Sequence, residues 1–147
     1  MGVAQLSGDG AAGRAAFRDS TDACRASVIA PRDDLGLPAA LRSGLAARMC
    51  TLIGQGAMAT HYAAGLDGIP AQIAAGASAD SIADGAVAAM VRHCDKITQT
   101  PGEATRADID ALVAAGLTVP QVVALSELVA FTNYETRIRQ GHALLEV

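Results

Sequence analysis

Apolar residues recur along this chain in steps of three and four, and nowhere do they alternate with polar ones over a sustained run. That spacing belongs to helices with one buried face, whereas a half-buried strand needs a period of two. Leu41, Leu45, Met49 and Leu52 form one such stripe. Ile82, Ala86, Met90, Cys94 and Ile97 form a second, and Val122, Leu125, Val129 and Thr132 a third. Between the stripes stand residues that stop helices: Pro31, Gly54-Gln55-Gly56, Asp67-Gly68, Gly76, Pro101-Gly102 and Gly116. The pattern predicts an all-α bundle of about six or seven helices joined by short loops.

Local signals set the expected boundaries. Residues 1–13 are rich in Gly and Ala without an apolar period, and read as a loose arm on a single domain spanning 1–147. Arg14 to Ala30 reads as a helix with Phe17, Cys24 and Val28 inward, ended by Pro31. Pro38 suits the first turn of the next helix. Ile69 to Ala75 reads as a short helix, and Ser78, Asp80 or Ser81 as the cap of the one after it. Thr105 with Asp108, and Thr118 with Gln121, have the spacing of capping boxes. The first opens a helix expected to bury Ile109, Leu112 and Val113. The second opens a last helix running to about Gln140.

Composition narrows the function. The residues are 51% hydrophobic but 3% aromatic, with no Trp, so the apolar surface is mostly Ala, Val, Leu and Ile. Alanine-rich helices pack closely but bury little area each, which points to completion by further copies of the chain. The net charge is -4 with no basic run, which argues against nucleic acid as a partner. No apolar stretch reaches the length of a membrane span. MGVAQLSGDG lacks the features of a signal peptide, so a cytoplasmic location is expected. Cys24, Cys50 and Cys94 are odd in number and contain no C-x-x-C, which suggests neither a disulfide framework nor a zinc ribbon. His93 and Cys94 are adjacent and project in different directions, so no metal and no cofactor are expected.

The stretch Arg42 to Leu66, RSGLAARMCTLIGQGAMATHYAAGL, holds the functional question. Gly54 suits the end of one helix, and Ala57-Met58-Ala59 starts the next. A helix start lowers the pKa of a thiol placed there. This chain places Gln55 and Met58 there.

The segment HCDKITQTPGEATRADIDALVAAGLTVPQVVALSELVAFTNYETRI resembles the C-terminal half of the carboxymuconolactone decarboxylase-like family, in its alkylhydroperoxidase D-like, peroxidase-related branch. The likeness rests on Lys96-Ile97-Thr98 before Pro101, then Thr105 and Asp108, then Ala115-Gly116-Leu117, then Asn133 and Arg137 four residues apart. It extends from about Leu41 onward, and implies an alkylhydroperoxidase D-like helical bundle in a homo-oligomer, a trimer or a multiple of one. Peroxidase members carry C-x-x-C at the start of the second central helix, a His shortly after it and a Glu upstream. Aligned on Gly54, the thiol positions become Gln55 and Met58, the Glu position Ser43, and the His position His61 or Tyr62.

Peroxide reduction by this route needs one thiolate to attack and a second thiol to resolve the sulfenic acid. The expected function is therefore a peroxidase-related protein of the antioxidant superfamily that has lost its dithiol site: a degenerate or altered-activity paralogue, able to assemble with an intact homologue. The alternative is a cysteine-independent decarboxylase or lyase with His61 as acid and base. In that reading Arg48 or Arg137 would hold a substrate carboxylate. A third reading is a structural or small-ligand module. Cys50 is a weak candidate for a lone reactive thiol, set against its reading as a packed core residue.

Overall fold

The computed structural model describes residues 6–145. Among the described residues there are seven α-helices and no strand, as the spacing predicts. In chain order they are α1 (Leu6–Ile29), α2 (Ala39–Leu52), α3 (Gly56–Ala63), α4 (Gly68–Ala74), α5 (Gly85–Gln99), α6 (Arg106–Ala114) and α7 (Val119–Leu145). Short 3-10 turns at Ala79–Ser81 and Pro101–Glu103 lie on either side of α5.

Helix α2 is the centre of the bundle, packed by α3, α4, α5 and α7. Its stripe behaves as expected: Leu41, Leu45 and Met49 are buried and Leu52 half-buried. Ala46, Ala47 and Cys50 are buried too, so helices press on α2 from several sides. Such close approach needs small residues. A Cβ on Gly44 would lie 2.6 Å from the Pro70 carbonyl oxygen of α4, so only glycine lets these two backbones meet.

The helix ends follow from local chemistry. Gly54 takes a φ of 74°, while its N–H donates to the Thr51 carbonyl and the Gln55 N–H donates to that of Cys50. This pair of bonds satisfies carbonyls that the end of α2 leaves free. Both expected capping pairs form: Thr105 N–H donates to Asp108 at 2.7 Å, and Thr118 N–H to Gln121 at 2.9 Å. The cap of α5 differs from expectation. Asp84 accepts from the backbone of Ala86 and Val87, while Ser78 accepts only within the preceding 3-10 turn. Asp84 directly precedes Gly85, so it alone stands where the first free N–H groups converge.

The N-terminal expectations need correction. Residues 6–13, read as a loose arm, continue α1; residues 1–5 of that arm lie outside the described residues. Cys24 is exposed, Phe17 is 36% exposed and Val28 half-buried, so α1 sends few apolar side chains inward. In α6 only Leu112 is buried; Ile109 and Val113 face outward. In the third stripe, Val122, Leu125, Val129 and Thr132 are all buried, and α7 runs to Leu145.

Arg42 holds the α1–α2 connection. Its buried guanidinium donates to the carbonyls of Leu37 at 2.7 Å, Val28 at 3.0 Å and Asp34 at 3.0 Å. Burial pulls its pKa below the usual value. Three carbonyl acceptors spread that charge among dipoles in place of a counterion. No helix among the described residues is long and apolar enough to cross a membrane.

Candidate functional site

The buried face of α7 carries one full charge. Continuing its stripe three residues past Thr132 reaches Glu135, which is 1% exposed. A carboxylate so placed needs partners, since an unpaired buried charge is costly. Two come from distant segments. The Tyr62 hydroxyl on α3 donates to Glu135 Oε2 at 2.5 Å. Arg25 on α1 donates from Nε to Oε1 at 2.8 Å and also pairs through Nη2. Arg139, one turn along α7, lies 3.6 Å from the same carboxylate. Arg25 in turn binds Asp22 at 2.8 Å.

The electrostatics follow from this geometry. Burial alone would lower the Arg25 pKa, but the hydrogen bond and negative charge of Glu135 more than reverse that, and the net shift is upward. Burial raises the Tyr62 pKa, and its bond to the charged Glu135 raises it further. Tyr62 therefore stays a neutral donor and Arg25 a fixed cation, with Glu135 accepting from both. Nothing in α1 or α3 taken singly marks these two residues as partners. The signal for Glu135 is the extension of the α7 stripe into a charged residue.

The positions singled out by the resemblance have different surroundings. Gln55 is half-buried just before α3, with no capping bond from its side chain. Met58 is packed into the core, and Ser43 lies half-buried on α2. His61 is exposed, with its ring edge-on to Tyr62 at a centroid distance of 5.7 Å. Of the two residues competing for the His position, Tyr62 is the one that faces inward. Cys50 is completely buried, and its thiol is pushed up to about 12, first by burial and then by the charge of Glu135. Cys94 is buried and raised likewise. Neither thiol is poised to ionise at neutral pH.

The two candidate arginines have separate fates. Arg48 is engaged inside the fold: it donates to both oxygens of Asp95, at 2.6 and 2.8 Å, and to the Ala77 carbonyl at 2.7 Å. These bonds tie α2 to α5 and leave little of the guanidinium for a substrate. Arg137 is exposed on α7, two residues from Glu135 and so on the other side of the helix, and lines a groove with His93, Ile97, Ile109 and Asn133. Asn133 is occupied structurally, donating to the Val129 carbonyl at 3.0 Å. Among the described residues, no group of three or more His, Cys, Asp and Glu side chains could hold a metal ion.

A second concavity opens beside Glu135, between α1 and the C-terminal half of α7. It encloses about 390 Å³ and is walled by Phe17, Arg18, Arg25, Arg139 and His142, with Glu135 at its inner side. No protein-family model matches this chain, and neither the curated proteins nor the solved structures give a match.

Proposed function

We propose that this chain is a peroxidase-related protein on an alkylhydroperoxidase D-like scaffold that has lost dithiol chemistry and serves as an altered-activity paralogue. The observation that carries this reading is the placement of the sulfurs. The two seats at the start of α3 hold Gln55 and Met58, and the nearest thiol, Cys50, is fully buried with its pKa pushed up to about 12. A thiol so protected neither attacks a peroxide at neutral pH nor meets a resolving partner. The inward-facing Tyr62, at one of the two candidate His positions, donates to Glu135, which is also bound by Arg25, and this supports a structural use of that position. The test is consumption of cumene hydroperoxide with dithiothreitol as reductant. The expected rate equals that of buffer; turnover abolished by Cys50→Ser would overturn the proposal.

The lyase reading retains one specific support, the Glu135 carboxylate at the inner side of the α1/α7 cleft, held there by the Tyr62 hydroxyl. In it the acid–base role passes from His61 to Glu135, because exposed His61 makes no side-chain hydrogen bond among the described residues. Release of carbon dioxide from carboxymuconolactone, lost in Tyr62→Phe, would favour this second reading over the first.

We also propose that the chain assembles with copies of itself. Support comes from apolar side chains left outside on α6 and α7: Ile109, Val113, Val119 and Val123, of which Val119 is 70% exposed. Sedimentation equilibrium should give a mass of several chains, a trimer or a multiple of one; a monomer at micromolar concentration would remove the proposal. An intact homologue carrying both thiols would be a candidate for mixed assembly.

A further inference from the structure

We propose that the α1/α7 cleft binds a small organic anion, with a flat apolar body and one carboxylate or phosphate head. The sequence gives the chain a net charge of -4, yet four of its eleven Lys and Arg residues gather along this cleft and the adjoining end of the helix pair: Arg14, Arg18, Arg25 and Arg139. Facing them are two carboxylates, Asp22 and Glu135, and both are bound to Arg25. That leaves a positive excess among the described residues. Arg18 has no carboxylate partner among the described residues; only its Nε is engaged, with the Arg14 carbonyl at 3.5 Å. Arg139 reaches Glu135 only at 3.6 Å and is largely exposed.

The antiparallel helices place these two guanidiniums beside an aromatic wall. Phe17 lies 6.4 Å from His142 and 6.5 Å from Tyr134, centroid to centroid. Phe17, an apolar ring left 36% exposed in a charged cleft, offers a face on which a planar ligand can stack. Guanidiniums hold carboxylate or phosphate oxygens by paired hydrogen bonds. The volume suits a small molecule, and the concave shape with net negative charge elsewhere disfavours an extended polyanion. This site stands independently of whether the chain lost a peroxidase function.

Calorimetric titration of the full chain tests it, with benzoate and phenyl phosphate as probes and benzyl alcohol and inorganic phosphate as controls. At least one aromatic anion should bind one per chain with Kd of about 1 mM or tighter. Arg18→Gln and Arg139→Gln should each weaken it about tenfold. Arg92→Gln, whose partner is exposed Asp80 on another face, should leave it unchanged. Circular dichroism establishes that each variant is folded. The proposal is overturned if neither anion binds saturably, if benzyl alcohol or inorganic phosphate binds equally well, or if both folded cleft variants bind like the parent. Preference for anionic vesicles or DNA over both small anions would overturn it too. Tighter binding of benzoate or of phenyl phosphate would assign the head group.

Discussion

Glu135 has the most at stake of any single side chain in this molecule. It is a buried carboxylate whose oxygens serve Arg25, Tyr62 and more distantly Arg139. Removing it with Glu135→Ala leaves the buried Tyr62 hydroxyl without its acceptor and Arg25 with only the exposed Asp22, and unfolding in urea should show a loss of about 3 kcal/mol or more. Tyr62→Phe removes one hydrogen bond while keeping the ring, and the loss should be about 1–2 kcal/mol. If both variants match the parent within error, the network does not support the fold. His93 gives a pH signature. Its Nδ1 is buried without a partner, and burial holds its pKa below the ordinary 6.5, with Asp108 pulling the other way and Lys96 adding to the depression. As pH falls, the unfolded chain therefore takes up this proton before the folded one. The contribution is full above 6.5 and is lost as pH drops toward the folded value. Urea midpoints at about pH 7.5 and about pH 5.5 should differ, and His93→Gln should shrink that difference.

The helices depend on two glycines for different reasons. Gly44 permits a backbone approach, and Gly54 a backbone conformation. In Gly44→Ala the new methyl would meet the Pro70 carbonyl at 2.6 Å, so α2 and α4 must separate. The expected loss is about 2 kcal/mol. In Gly54→Ala nothing lies within 4 Å, and only the φ of 74° opposes the change, at about 1 kcal/mol. Thermal unfolding should therefore rank Gly44→Ala below Gly54→Ala, and the reverse order would mean that α4 can shift without penalty. The sequence marks Gly54 plainly, because it follows an apolar stripe and precedes a new one. Gly44 lies inside a helix, and no local rule gives its reason; its contact, Pro70, belongs to another element.

For the whole molecule, thiol access offers a direct check. Native protein treated with iodoacetamide should gain one adduct, at exposed Cys24, while unfolded protein should gain three. Rapid native modification of Cys50 would contradict both its burial and its raised pKa. The helical class, the middle and last stripes and both capping boxes were legible in residue order, because helix periodicity and capping are interactions across three or four positions. The partly exposed faces of α1 and α6 were not. Ile109 and Val113 share the spacing of buried Leu112, yet the rest of the fold covers only Leu112. His61 and Tyr62 show the same limit at the candidate site: adjacent on one helix, they differ in exposure because Glu135 approaches one side of α3 alone. The sequence by itself determined that helices form, where most of them stop, and that no thiol stands at the start of α3. Tertiary structure decided that Arg25, Tyr62 and Glu135 share a charge and that the cationic cleft lies beside them. Those residues are separated by as many as 110 positions, and only the packing of α1 against α7 and the reach of Tyr62 from α3 bring their polar atoms within bonding distance.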